Sequence, residues 1–208
     1  MGPPGAGKGT QAALISEKLG ISRVSSGDLF REHQQRGSEL GQLVGSYMKR
    51  GVLVPDSVTV AMVEDWIKEN AHDGGFLLDG FPRTLPQAKF LKRVVSKIGG
   101  IDRGLYINVS HKELVRRLAG RVVCRSCRLP FHCDDVSAGV FGECEECGGE
   151  LYQRDDDSAD AVSKRIQVYL GETEPVVEYY RKSGVLREVD GEGTVDQVWS
   201  LLFEALRS

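Results

Sequence analysis

Met1-Gly2-Pro3-Pro4-Gly5-Ala6-Gly7-Lys8-Gly9-Thr10 opens the chain, and its reading decides the fold. Residues 2–8 spell Gly-x-x-x-x-Gly-Lys. Glycines let successive backbone N–H groups converge on one anion with no Cβ in the way. The lysine adds a mobile positive charge for the outer phosphates of a nucleotide. A helix expected over residues 11–19, stopped by Gly20, would aim its positive end at the same point. The stretch therefore reads as a cradle for a nucleoside triphosphate, against the plainer alternative of a glycine turn opening a helix. Position nine is Gly9, where a Ser or Thr hydroxyl for magnesium is usual, and Thr10 follows it.

Working outward, strands are expected over residues 21–25, 75–80, 105–109 and 185–189. Helices are expected over residues 29–35, 40–50, 58–70, 86–97, 112–119, 159–170, 174–182 and 195–206. Asp28 is the expected cap of the first of these, and Asp56 or Ser57 that of the third. Strands alternating with helices imply an α/β fold with a parallel sheet and helices on both faces. The apolar run over residues 75–78 ends in Asp79. Ligands sit at strand carboxyl ends in such sheets, so Asp79 is placed for chemistry, with a helix cap or turn former as the alternative.

At 208 residues, 40% hydrophobic and 27% charged, the chain is long enough for one sizeable core with small inserted lobes. Its net charge of −3 disfavours a general nucleic-acid or anionic-membrane surface. No apolar run has the length of a membrane span and no leader opens the chain, so the expected location is the cytosol. The cysteines cluster as Cys124-x-x-Cys127, sixteen residues, then Cys144-x-x-Cys147. That is the four-thiolate spacing of a structural zinc site. His132 and Cys133 lie inside the loop and read as bystanders. Residues 120–157 carry four basic residues (Arg121, Arg125, Arg128, Arg154) against nine Asp/Glu, net −5, which would repel a phosphate backbone. The cluster reads as a staple for a lobe with little core of its own.

Taken together these segments resemble the adenylate kinases, in the bacterial form with a zinc-bearing lid. The likeness rests on residues 2–11, on Val24-Ser25-Ser26-Gly27-Asp28, on Gly-Phe-Leu-Leu-Asp-Gly-Phe-Pro-Arg-Thr at 75–84 and on Arg117-x-x-x-Arg121. It continues through the cysteine knuckles, residues 152–157 and Lys164-Arg165. It implies a P-loop, parallel-sheet nucleotide kinase core (1–24, 55–119 and 158–208) with two inserted mobile lobes. These are a nucleoside-monophosphate lobe (25–54) and a zinc lid (120–157). The implied reaction is ATP + AMP ⇌ 2 ADP, run by a monomer with magnesium.

By the same resemblance, Gly5, Ala6, Gly7, Lys8, Gly9 and Thr10 hold the ATP phosphates. Arg117 and Arg121 meet ATP from the lid base, and Pro130, Phe131 and Gly193 lie near its adenine. AMP falls to Ser26, Arg31, Val52, Leu53, Val54, Gly80, Phe81, Pro82, Arg83 and Gln87, with Arg154 and Arg165 reaching in from the hinge side. Asp79 orients magnesium through water. Lys8, Arg83, Arg121, Arg154 and Arg165 are the expected catalytic cations. Phosphoryl transfer needs alignment and charge neutralisation rather than covalent help, and guanidinium forks suit phosphate oxygens, so the residue types agree. Any one of these arginines, read alone, is equally a solvated surface residue. Rival readings are a kinase for another nucleoside monophosphate and a P-loop switch with a zinc ribbon on nucleic acid. The family's first strand lies mid-sheet and feeds the phosphate loop. Here only Met1 precedes that loop, so the expectation is a start assigned too late, the alternative being that 1–208 is complete.

Overall fold

The computed structural model describes residues 1–70, 75–134 and 142–208, so residues 135–141 of the expected lid lie outside the described residues. The elements run α1 (Lys8–Leu19), β1 (Ser22–Ser25), α2 (Ser26–Gln35), α3 (Glu39–Lys49), α4 (Asp56–Asn70), β2 (Phe76–Asp79) and α5 (Leu85–Val95). Next come β3 (Gly104–Asn108), α6 (His111–Ala119), then β4 (Arg121–Cys124), β5 (Pro130–His132) and β6 (Leu151–Tyr152). The chain closes with α7 (Ala159–Val168), a π-helical turn (Tyr169–Thr173), α8 (Glu174–Lys182), β7 (Leu186–Asp190) and α9 (Val195–Arg207). The α/β alternation expected from the sequence is what forms, and its core strands are parallel.

Among the described residues those strands make two pairs rather than one continuous sheet. β1 lies beside β2 with Ser25 opposite Asp79, and β3 beside β7 with Asn108 opposite Asp190. Met1 lies against β3: its carbonyl accepts from the Ile107 N–H at 3.0 Å, and its amino group donates to the Leu105 carbonyl. That alternation, one donor and one acceptor either side of Tyr106, is how a parallel strand pairs. Each pair has its own apolar layer. Val63, Ile67, Leu91 and Val95 of α4 and α5 cover the β1–β2 side. Ile107 and Val189 pack with Val198 and Leu202 of α9 on the other.

Helix ends follow their chemistry, with three departures: α4 begins at Asp56, so neither Asp56 nor Ser57 caps it, and the Asp56 carboxylate turns to Thr84 and Gln87 instead. Ser25, not Asp28, caps α2 by accepting the Asp28 N–H at 3.3 Å. Asp28 sits in the first turn instead, where a carboxylate favours the positive helix end. The helices expected over 159–170 and 174–182 are not separate. A five-residue π turn carries the chain from α7 straight into α8, because Gly171 lies within the turn without ending it. Elsewhere Thr84 caps α5, and Thr194 with Gln197 forms a capping box on α9.

The segment between β4 and β6 is a small antiparallel sheet, order β5-β4-β6. Its apolar content is Val122, Cys124, Cys144 and Leu151, with Phe131 alongside. So small a core needs a covalent or metal staple to hold its shape. Below the phosphate loop, Leu118 is fully buried with Val162 and Ile166. A Cβ on Gly5 would meet the Leu118 Cγ at 3.0 Å. Leu118→Ala opens a cavity there and is expected to cost about 2–5 kcal/mol, read as a lower urea midpoint at unchanged m-value. A midpoint within error of the parent would contradict this packing.

Candidate active site

The phosphate loop ends on Gly7, at φ 83, which caps α1 with no side-chain acceptor. The first-turn N–H groups of α1 are therefore left for an external anion. The Lys8 ammonium donates to the Pro3 carbonyl at 2.7 Å, so the lysine folds back over its own loop. Asp79, at the end of β2, faces the start of α1: its Oδ2 lies 3.6 Å from where a Gly9 Cβ would be. Burial pushes Lys8 down to about 7, with Asp79 opposing and Arg83, Arg165 and Arg121 adding to the shift.

The facing wall is built on the Gly80 carbonyl. It accepts from Ser26 Oγ at 2.7 Å and from Arg83 Nε at 2.7 Å. Gly80 has φ 72, and a Cβ there would sit 2.9 Å from both Ser26 Oγ and Arg83 Nη2, so only glycine lets the two donors converge. The Phe81–Pro82 peptide is cis. Thr173, in the π turn, donates its hydroxyl to the Arg83 carbonyl at 2.9 Å and fixes that backbone from behind. Arg31 pairs with Asp28. Burial works to raise the Asp28 carboxyl, but Arg31 holds it below the usual range. Burial also pulls Arg83 below its ordinary value, and the neighbouring Arg165 adds to this.

A third group of cations comes from the base of the antiparallel lobe. Asp157, whose carboxylate is fully buried, accepts from Arg121 Nε at 2.7 Å and from Arg165 Nη1 at 2.9 Å. Arg165 also donates to the Asp156 carbonyl at 2.8 Å and lies 3.1 Å from the Asp156 carboxylate. Among the described residues Arg154 has no such anchor, and its buried Nε finds no hydrogen-bond partner there. Burial, then repulsion from Arg31 and Arg121, lowers it to about 10, still cationic at neutral pH. Between these walls lies a cavity of about 790 Å³.

Most of the residues singled out in the sequence line this one cavity. Gly5, Gly7, Lys8, Gly9, Thr10 and Asp79 form its floor. Ser26, Arg31, Val52, Leu53, Val54, Gly80, Phe81, Pro82, Arg83 and Gln87 line one side. Arg117, Arg121, Arg154, Arg165 and Pro130 line the other. Ala6 is placed elsewhere, 2% exposed in the core under the loop. Phe131 packs into the lobe's own apolar cluster. Gly193 lies beside the Gln197 side chain in the α9 capping turn; it does not itself line the cavity, although Val195, two residues on, does. Sequence reasoning passed over Asp157 and Thr173 as site residues. The acidic run at 155–157 after Arg154 was a usable signal for the first; nothing local marks Thr173, whose partner is 90 residues away.

The four cysteines come together as their spacing implies. Cys124 and Cys147 sulfurs are 3.4 Å apart, those of Cys127 and Cys144 3.6 Å, and all four lie within 4.8 Å of one another. Ser126 and Cys127 N–H groups point at Cys124 Sγ at 3.3 and 3.4 Å. Four convergent sulfurs with N–H groups directed at one of them are compatible with a tetrahedral thiophilic ion such as zinc. His132, Cys133 and Asp134 form a separate, more exposed group.

Comparison with known proteins agrees with this geometry. A family model described as adenylate kinase matches residues 1–185. An adenylate kinase of Alkaliphilus oremlandii is 46% identical over all of this chain and 97% of its own length. Those of Clostridioides difficile and Streptomyces coelicolor are 45% and 46% identical over the whole chain, covering 97% and 96% of their own lengths. A loop of open N–H groups, a ring of partly unpaired cations and sequence identity along the full chain lead to one assignment: this protein belongs to the adenylate kinase family.

Proposed function

We propose that the cavity holds MgATP and AMP together and moves one phosphoryl group between them, giving two ADP. The observation that carries this is the convergence of Lys8, Arg31, Arg83, Arg121, Arg154 and Arg165 on one cavity floored by the glycine loop. A single triphosphate does not need cations on three walls; two nucleotides meeting phosphate to phosphate do. A phosphate oxygen of AMP attacks the γ-phosphorus as the bond to the β-phosphate oxygen breaks, and ADP leaves with that electron pair. The loop N–H groups and Lys8 hold the triphosphate, while Arg31 and Arg83 hold the AMP phosphate. Arg121, Arg154 and Arg165 neutralise charge on the moving group. Asp79 is the residue to hold magnesium through water, and the ion neutralises phosphate charge when bound. Gln87, with Val52, Leu53 and Val54, faces the AMP base. The roles of Ala6, Phe131 and Gly193 reduce to shaping the loop, the lid sheet and the α9 turn.

The division into a core (1–24, 55–119, 158–208), a monophosphate lobe (25–54) and a lid (120–157) follows the same reading. Closure of the two lobes excludes water, which otherwise would take the phosphoryl group. Arg128 in the lid already reaches Gln35 of α2, Nη2 to Oε1 at 3.4 Å. Zinc on Cys124, Cys127, Cys144 and Cys147 is a staple with no open position. No described helix is long and apolar enough to cross a membrane. A monomer in the cytoplasm, exchanging ATP, AMP and ADP with no nucleic-acid partner, completes the proposal.

Three outcomes test it. ADP formation from ATP should require AMP and should exceed that with any other monophosphate in a coupled assay; Arg83→Ala should lose most turnover, on the order of 10²-fold, while keeping its metal. An AMP-independent rate, or near-parent activity in the Arg83 variant, would contradict it. Stripping the metal with a chelator should lower Tm more than it changes the rate of the chemical step, and an unchanged Tm would rule out the staple. Third, Lys8 at about 7 is largely neutral in the empty site at pH 8.5, and bound phosphate raises it. ATP binding at pH 8.5 should take up a proton that is not taken up at pH 6, read by calorimetry in buffers of different ionisation enthalpy. Equal proton uptake at both pH values would show that Lys8 does not meet the phosphates.

A further inference from the structure

Gln87 is 2% exposed and lines the cavity, yet both ends of its amide are already engaged by the chain. Its Oε1 accepts the Arg83 N–H at 2.7 Å. Its Nε2 donates to Asp56 Oδ1 at 2.6 Å. A backbone N–H can only donate and a carboxylate can only accept, so the orientation of this amide is fixed by its partners. The other Asp56 oxygen accepts from Thr84 Oγ1 at 2.8 Å, and that hydroxyl accepts the Gln87 N–H at 3.3 Å. The polarity of the whole ring runs one way. Turning the Gln87 amide over would set oxygen against carboxylate and N–H against N–H, both buried, which is the costly arrangement.

We propose that Asp56 is a specificity-determining positioning residue: it locks Gln87 so that the cavity reads a 6-aminopurine and rejects a 6-oxopurine. This rests on the reading that Gln87 faces the monophosphate base. With its outer positions taken, Gln87 keeps one N–H and one oxygen lone pair, in a fixed left-to-right order. Adenine offers the complement, acceptor N1 beside a donor amino group. Hypoxanthine offers the reverse, donor N1–H beside acceptor O6. A glutamine free to turn over would serve both bases; one held by Asp56 and the Arg83 N–H serves the first, and Asp56 is the partner a side-chain substitution can remove. Sites built on buried, oriented polar groups discriminate in this way because the wrong ligand leaves them unpaired.

The test uses the full chain with its metal, ATP as donor, and either AMP or IMP as acceptor, since these differ only at ring positions 1 and 6. The readout is the ratio of kcat/KM for AMP to that for IMP. Asp56→Asn offers both an oxygen and an N–H, so a flipped Gln87 is opposed by the Arg83 N–H alone and no longer by a second buried like pair; the ratio should fall about tenfold, carried by a higher KM for AMP and a lower one for IMP. Asp56→Ser, whose hydroxyl also donates or accepts, should lose the ratio in the same way, and Asp56→Glu should recover it in part. An equal fall for both monophosphates, or an unchanged ratio in the Asn and Ser variants, would overturn the proposal and leave Asp56 as a structural tie between α4 and the start of α5. Gln87→Ala separates the two layers of the argument. If it too leaves the ratio unchanged, Gln87 does not face the base; if it abolishes the ratio while the Asp56 variants keep it, only the role of Asp56 is wrong.

Discussion

Like-charge crowding is the constraint on which this structure turns. Lys8, Arg83, Arg121, Arg154 and Arg165 surround one cavity and repel one another, while burial removes the water that would screen them. The carboxylates at hand offset this only in part. Asp157 balances Arg121 and Arg165, and Asp28 balances Arg31. Among the described residues, Arg154 and Lys8 have no carboxylate within salt-bridge distance. A cavity with surplus positive charge is completed by phosphate groups, which makes the closed, water-excluding arrangement conditional on the ligands. On the proposed function, that conditionality would protect ATP from hydrolysis when its partner is absent.

The scaffold keeps these cations in place through a few backbone atoms. One carbonyl, that of Gly80, holds Ser26 and Arg83; another, that of Arg83, is held by Thr173 of the π turn. The acidic run at 155–157 lies where the antiparallel lobe rejoins α7, so the residue that orients Arg121 and Arg165 also sits at the root of that lobe. A shift of that lobe is therefore a shift of two cations. The cysteine cluster would, on the proposed function, staple this lobe, whose apolar core is only a handful of side chains.

What the sequence disclosed was local. The glycine loop, the Cys-x-x-Cys pairs and the run ending in Asp79 each carry their meaning within a few residues, so they could be read directly. The strand-and-helix alternation was legible for the same reason. The α2 cap was misassigned because Ser25 and Asp28 are both good capping residues, and only the chain direction after β1 chooses between them. The continuous α7–π–α8 rod was missed because Gly171 looks like a stop while tertiary contacts, such as the Tyr169–Tyr106 hydroxyl pair at 3.3 Å, hold the turn helical. The two-pair arrangement of core strands depends on pairings far apart in the chain, between residues 104–108 and 186–190 among others. Thr173 escaped notice, and Asp56 was read only as a helix cap, because their partners lie 90 and 31 residues away. Residues that line the cavity were legible from motifs and from the family resemblance; residues that aim them were not.

The account stands or falls on one cavity holding two nucleotides end to end. Calorimetry with a ligand of two adenosines joined through a chain of phosphates measures this directly. The account predicts one such molecule per chain, binding more tightly than ATP or AMP alone and leaving no heat for either added afterwards. A saturated protein that still binds ATP or AMP would place the two nucleotides at separate sites and contradict it.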